Sequence, residues 1–364
     1  MDKNRILHIL TSPRAEGTPR LVLDWLDKSN LEQGILFLNS EPADLLNLFQ
    51  QKSSNIFIFN TKNTNYIRHK RTVTQTVYKV CKRYKPQYVI CWNQGYSQWI
   101  ILGARIAGVK KTIVHIGCEP EYDKSLRNLL FTYYMHWPLF LMKSQLVCAS
   151  EFLKTKFFAM PLMPKSNIHR VYNCLQLNRF TPPYENRSVQ NKIAIIVANL
   201  EPPKDHESLL MAWKKVVKKE PEAMLWVVGR GSLQKYLENI CIQLNIKNNV
   251  IFFGQRDDVP QLLWQSKIFV FTSKSEGFGT VLLEALAAGL KIIAFDEPAA
   301  REVLNNGKWG QLIPNRDIEL FANAIIKEFK NEHVTIDKEK INKYLENFSV
   351  DNMIQGYLNI LKAD

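Results

Sequence analysis

Acidic residues are absent between Leu45 and Cys118, a stretch that carries twelve Lys and Arg. The chain of 364 residues has a formal net charge of +14, and all of the excess lies in its first half. Residues 1–190 hold 26 Lys and Arg against 12 Asp and Glu, whereas residues 191–364 hold 22 of each. A basic surface confined to one part of a molecule fits an anionic partner, whether nucleic acid, anionic lipid or acidic substrate; it equally fits a solvated face with no partner. Long apolar runs are also missing: no segment reaches the roughly 18 uninterrupted apolar residues of a spanning helix. The nearest, "LLFTYYMHWPLFLM" at 129–142, is short and contains His136 and Pro138. The opening "MDKNRILHILTS" has too short an apolar run for a signal peptide and reads as a first strand. The six cysteines form no C-x-x-C pair and lie mostly in apolar runs, so small buried thiols are expected rather than disulfides or a zinc site. No short-period repeat is visible. What is present is 46% apolar and 23% charged residues, enough for buried cores, over a length that predicts two domains.

Strand-like and helix-like segments alternate through both halves. In the first, "ILHIL" (6–10), "GILFLN" (34–39), "IFIFN" (56–60), "YVICW" (88–92), "KTIVHIG" (111–117) and "QLVCAS" (145–150) read as strands. Amphipathic stretches such as "RTVTQTVYKVCKRYK", stopped by Pro86, lie between several of them. "TPPYENRSVQNK" (181–192) is polar, proline-bearing and without periodicity, the best linker. The pattern then resumes with strands "KIAIIVANL" (192–200), "AMLWVVG" (223–229), "NVIFFG" (249–254), "IFVFTS" (268–273) and "LKIIAFD" (290–296), separated by helices. Alternation of this kind predicts an α/β fold of two doubly wound parallel sheets, with sites at the carboxyl ends of the strands. The expected division is 1–185, 186–342 and a final helical segment 343–364 that packs back on the first domain.

In the second half, polar and glycine residues gather where strands end: "NLEPPKDH" (199–206), "GRGS" (229–232), "GQRDD" (254–258) and "SKSEGFGT" (273–280). Strand-to-helix turns commonly carry Gly and caps, so "GRGS" is as well explained by structure as by a ligand. The last is more specific. The amides of Gly277, Phe278, Gly279 and Thr280 open a helix and are placed to meet one anion such as a phosphate. Glycine at 277 and 279 permits close approach. Glu276 and Glu284 lie eight residues apart on either side of that turn, and carboxylates accept paired hydrogen bonds from vicinal hydroxyls. The spacing suits a nucleotide sugar: diphosphate at the amides, sugar at one glutamate, ribose at the other. A helix with one favourable first-turn glutamate and one solvent-facing glutamate is the alternative.

The run from "IIVANLEPPKDHESLLMAW" to "EGFGTVLLEALAAG" resembles the family 4 glycosyltransferases of the GT-B fold, also grouped as glycosyl transferases group 1. The likeness is close over roughly 190–315 and loose in the first half. It implies two Rossmann-like domains facing a central cleft, and a retaining, metal-independent transfer from a nucleotide-sugar donor, UDP-sugar first and GDP-mannose second. The expected acceptor is a glycan or a lipid-linked glycan of bacterial-type surface polysaccharide, such as capsule, O-antigen or lipopolysaccharide. By that resemblance Glu276 contacts the sugar, the amides of Gly277 to Thr280 the diphosphate, and Glu284 the ribose. Lys204 neutralises the diphosphate and the charge growing on the leaving nucleotide. Family members often carry an arginine five residues before that lysine; here the position is Asn199, a neutral donor able to hydrogen-bond one oxygen. Arg230 sits where relatives approach the nucleotide and is a candidate substitute.

In the first half, "TSPRAEGTPR" (11–20) follows the first strand where relatives have a glycine-rich loop, which makes Gly17 and Thr18 candidate donor contacts. His115, in "TIVHIGCEP", is the candidate contact to the reacting sugar, with a core histidine as the alternative and Glu119 as runner-up. No metal and no cofactor are expected: the adjacent Asp257 and Asp258 lack the D-x-D spacing of metal-dependent transferases and read as a helix cap before "VPQLLWQ". The basic first half, with the aromatic "FTYYMHWPLF" at 131–140, fits an anionic leaflet, hence an expected cytoplasmic protein peripheral to the membrane. Two rivals remain: a GT-B epimerase or non-catalytic nucleotide-sugar binder, and a nucleic-acid-binding protein. The last is not expected, because no binding motif appears and the basic residues are spread over several elements.

Overall fold

The computed structural model describes residues 5–28, 31–60, 66–119, 126–160, 163–183, 192–331 and 337–363. The chain forms two compact units, Met1–Cys174 with Val350–Asp364, and Leu175–Ser349. The first contains strands β1 (Arg5–Leu10), β2 (Glu32–Phe37), β3 (Asn55–Ile58), β4 (Tyr88–Cys91), β5 (Lys111–Ile116), β6 (Gln145–Cys148) and β7 (Ile168–Arg170). The second contains β8 (Ile193–Val197), β9 (Met224–Val228), β10 (Val250–Gly254), β11 (Ile268–Phe271), β12 (Lys291–Phe295) and β13 (Gln311–Ile313).

Every ladder is parallel. The orders are β3-β2-β1-β4-β5-β6-β7 and β10-β9-β8-β11-β12-β13. Both sheets are therefore doubly wound: the chain builds outward from β1 or β8 in one direction, then returns to build in the other. The reversal leaves a crevice between β1 and β4, and another between β8 and β11, at the carboxyl ends where such sheets hold ligands. Parallel strands covered on both faces need continuous apolar runs, which "ILHIL" and "IFVF" supply. Two strands fall outside the sequence expectations, β7 and β13. Each is three residues long and forms the last strand of its sheet.

The linker expected at 181–192 lies largely outside the described residues. The boundary between units falls earlier than residue 185, after Cys174, because the helix Leu177–Phe180 joins the second unit: Phe180 is buried and its carbonyl accepts from Trp264 Nε1 at 2.6 Å. At the other end, the helix Lys338–Leu345 stays in the second unit, and the helix Val350–Lys362 completes the first. Met353, Ile354, Tyr357 and Leu361 enter the first core beside Trp25, Val147 and Val171. A Cβ on Gly356 would stand 2.9 Å from the Val171 side chain, so glycine lets this helix lie close.

Five cysteines are buried, Cys118 is exposed and all six are free thiols. Among the described residues no helix is long and apolar enough to cross a membrane.

Of the four buried histidines among the described residues, three have strongly lowered pKa values: His8 and His115 in the first unit and His206 in the second. Burial lowers the pKa of each to about 4; the Lys204 charge adds to the effect at His206. The folded chain holds them neutral, so their contribution to stability is complete above the ordinary pKa and is lost as pH falls toward 4. Urea unfolding should show a midpoint that declines from about pH 7 to about pH 5 and declines less steeply in His8→Gln. An equal slope in that variant would rule out the histidine account.

Candidate active site

The second unit concentrates the sequence-predicted residues at the carboxyl ends of β8, β9 and β11. Beyond β8 the chain passes through exposed Asn199 and buried Leu200 into a 3-10 turn, Pro202–Lys204. The turn ends at Asp205, whose φ of 50° is left-handed, and the helix His206–Lys219 starts there. Beyond β11 lies Ser273, followed by Glu276 and the buried Gly277, Phe278 and Gly279. Gly279, at φ 84°, is the N-cap of the helix Thr280–Ala287. That left-handed conformation favours glycine.

Hydrogen bonds tie these two turns into one group. Thr272 Oγ1 donates to the Lys204 carbonyl at 3.0 Å, and the Lys274 amide donates to the Pro203 carbonyl at 2.7 Å. The side chains follow: the Lys204 ammonium is ion-paired with the Glu276 carboxylate, both about one-fifth exposed. Ser273 Oγ lies 3.4 Å from the same carboxylate oxygen. Lys204, Glu276 and the helix-opening amides thus come together at the β8/β11 switch point. Phe278 contributes backbone here, since its ring is buried 5.8 Å from that of Phe348. Glu284 is half-buried, and alone among residues 282–287 it reaches the surface.

"GRGS" has a clear structural reason. A Cβ on Gly229 would stand 2.0 Å from the Ala198 carbonyl oxygen, and one on Gly231 would stand 2.2 Å from that of Leu200. The backbones of 198–200 and 229–231 therefore lie directly against each other, sealed by the Leu200 amide donating to the Arg230 carbonyl at 3.0 Å. That packing sets Asn199 and half-buried Arg230 side by side at neighbouring strand ends. Glu201 adds a clasp, accepting from the Ser232 amide and hydroxyl at 2.8 and 2.7 Å.

Arg316, which the sequence reasoning missed, follows β13 in the 3-10 turn Pro314–Arg316. It donates to the carbonyls of Thr272 (2.7 Å) and Ser273 (3.3 Å) and to Glu297 (2.8 Å), and it is ion-paired with Asp205. Lys274 also meets Asp205, at 3.0 Å. Burial pushes the Asp205 pKa up, but hydrogen bonds from Ser208, Lys274 and Arg316 and the guanidinium charge outweigh it, and the net shift is downward. A single arginine between a three-residue strand and a helix carries no signal in sequence.

Gly17, Thr18 and His115 belong to the first unit. Gly17 is exposed and starts the helix Gly17–Lys28, with nothing within 4 Å of an added Cβ; Thr18 is partly exposed beside it. The imidazole expected to meet the sugar is placed in the core instead. His115 is 2% exposed, its Nδ1 lies 2.7 Å from the Tyr357 hydroxyl and its ring 4.8 Å from Trp92. Its position inside β5 points it at the C-terminal helix. Glu119 is engaged by Lys156 at 2.9 Å. Asp258 occupies the N-cap position of the helix Val259–Gln265 but makes no side-chain capping bond; its carboxylate takes both Arg256 donors, at 2.7 and 2.6 Å. Among the described residues no group of three or more His, Cys, Asp and Glu has a metal-binding arrangement.

Two doubly wound units of this topology define the GT-B class of glycosyltransferases. Residues 180–348 match the family model of glycosyl transferases group 1. It is similar over 96% of its length to the Escherichia coli UDP-Gal:alpha-D-GlcNAc-diphosphoundecaprenol alpha-1,3-galactosyltransferase, at 24% identity and covering 94% of that protein. It is 31% identical to the Mycolicibacterium smegmatis phosphatidyl-myo-inositol mannosyltransferase over 40% of this chain and 39% of that one. Among solved structures, Anabaena HepE in complex with UDP and glucose superposes with a TM-score of 0.81 over the whole of both chains, at 18% identity, a likeness of fold.

The backbone contact at "GRGS" yields a stability prediction. Gly231→Ala should lower the unfolding free energy by about 2 kcal/mol or more, since the obstacle is backbone oxygen that a rotamer change does not clear. Urea denaturation measures this, and a loss within about 0.5 kcal/mol would contradict the packing described.

Proposed function

We propose that this glycosyltransferase moves a hexose from a UDP-sugar to a lipid-linked glycan acceptor with retention of anomeric configuration and without a metal ion. The observation that carries the reading is the pairing of Lys204 with Glu276 beside the amides of Gly277, Phe278, Gly279 and Thr280. A diphosphate carries the charge that an ammonium and a helix N-terminus attract. When donor binds, Lys204 exchanges the Glu276 carboxylate for diphosphate oxygens, and Glu276, released, accepts from the sugar hydroxyls. As the bond between sugar and diphosphate breaks, negative charge grows on the leaving nucleotide, where Lys204 and the helix amides stabilise it. Glu284 is assigned to the ribose, and Asn199 with Arg230 to the nucleotide side of the diphosphate. Gly17 and Thr18 are the donor contacts proposed in the first unit. His115 receives no substrate contact, because its ring is buried against Trp92 and Tyr357.

UDP is preferred over GDP on two similarities: the Escherichia coli relative, named for UDP-Gal, matches nearly the whole chain, and HepE was solved with UDP. The relative's acceptor, a sugar on diphosphoundecaprenol, is at once anionic and lipid-anchored, which suits a basic first half. A role in bacterial-type surface polysaccharide synthesis follows from that acceptor class. Thermal-shift measurements against UDP-, GDP- and ADP-sugars test the donor, since a ligand that binds only the folded protein raises its melting temperature. UDP-sugars should stabilise the protein most, and stabilisation by GDP-mannose alone would overturn the preference.

The first unit also offers a surface for an anionic bilayer. On the helix Leu126–Leu141, Thr132, Met135, His136 and Leu139 face the core, while Leu130, Phe131, Tyr134, Trp137 and Leu141 are exposed, with Leu141 at 73%. The spacing puts the exposed set on one face. Lys70 rims that face, donating to the Tyr134 hydroxyl at 3.1 Å, and its helix Tyr66–Tyr84 also exposes Arg71, Lys79, Lys82 and Arg83. Leucine and aromatic side chains at interfacial depth, with cations at the headgroups, make a peripheral binding face. Vesicles containing phosphatidylglycerol should co-sediment the protein at low salt and retain less of a Trp137→Ala/Leu141→Ala double variant. Equal retention of both, or binding equal to that on neutral vesicles, would refute this surface.

A further inference from the structure

Asp205 and Arg316 are both non-glycine residues in left-handed backbone, at φ 50° and 54°, and they are ion-paired with each other. Strained backbone persists where surrounding contacts over-determine it, and such residues concentrate at functional sites. Here the contacts have a direction. Asp205 directly follows Lys204, while Thr272 and Ser273, whose carbonyls accept from Arg316, lead into Glu276. One guanidinium therefore spans the turn that presents the ammonium and the turn that presents the carboxylate. Its own position is fixed by Glu297 at 2.8 Å and by the Phe295 ring, 4.5 Å from the guanidinium carbon.

We propose that Arg316 is a positioning residue that braces the β8 and β11 end turns against each other and so fixes where Lys204 and Glu276 stand relative to the donor. This rests on the donor-site reading above. Arginine suits the task because its planar fork serves several acceptors in fixed directions, which a lysine ammonium on a flexible stem does not. With the brace gone, the two turns keep the Thr272–Lys204 and Lys274–Pro203 hydrogen bonds and the Lys204–Glu276 and Lys274–Asp205 ion pairs between them but lose the guanidinium that holds both at once, and small displacements at a reacting centre are costly.

Arg316→Gly is the informative variant, since glycine accepts the left-handed backbone and keeps the melting temperature within a few degrees of the parent. With UDP-glucose as probe, kcat for UDP release should fall roughly 10- to 100-fold while KM changes less than about threefold. Millimolar guanidinium chloride should restore part of the lost rate in Arg316→Gly, and Arg316→Lys should remain impaired. Amide exchange at 204–206 and 272–276 should quicken about tenfold, with exchange in β8 and β11 unchanged. An unaltered kcat, a loss confined to KM, or no rescue by guanidinium would overturn the proposal. If the parent protein releases no UDP from any UDP-sugar, the donor reading fails by itself, and the exchange measurement alone decides whether the brace exists.

Discussion

The ion pair between Lys204 and Glu276 is the contact on which the site depends. Two opposite charges, each about one-fifth exposed, sit at the ends of adjacent parallel strands, where the doubly wound order opens a crevice. Each partly buried charge needs compensation, and without ligand they compensate each other. A ligand that brings anionic oxygens for the lysine and hydroxyl donors for the glutamate can replace both partners at once. A nucleotide sugar carries both groups in one molecule, which is the physical basis of the proposed exchange.

The surrounding structure keeps that exchange local. Glycines 229 and 231 let two strand-end loops meet backbone to backbone, which holds Asn199 and Arg230 in line with the Lys204 turn. The left-handed Gly279 starts the helix whose amides adjoin the pair. Arg316 and Asp205 join the two turns beneath it. In the first unit the basic and apolar surfaces have a separate physical origin: an acid-free stretch of sequence, and a helix that is apolar on its exposed side as well as its buried one.

How far these features were legible depends on the length over which each is encoded. Strands such as Arg5–Leu10 and Ile193–Val197 carry unbroken apolar runs and read plainly, as does the glycine turn before Thr280. The edge strands Ile168–Arg170 and Gln311–Ile313 are three residues each, too short for any period to register. The partners that lock His115 and Lys204 are distant in sequence: Tyr357 stands 242 positions from His115, and Glu276 72 from Lys204. The family pattern assigns Lys204 and Glu276 to one ligand without pairing them, and nothing in the sequence links His115 to Tyr357. Asp258 occupies a cap position in sequence and structure, yet the nearby Arg256 takes its carboxylate, a competition between two local partners that spacing does not decide. Arg316 acts through a tertiary cluster to which its neighbours in sequence give no clue.

The account assigns the two halves of the pair to different parts of one ligand, and calorimetric titration with UDP, which lacks the sugar, separates them. Lys204→Ala should weaken UDP binding substantially. Glu276→Ala should bind UDP as tightly as the parent protein or more tightly, because the ammonium is freed, while transferring no sugar. Undiminished UDP binding in Lys204→Ala, or loss of UDP binding in Glu276→Ala, would contradict the account.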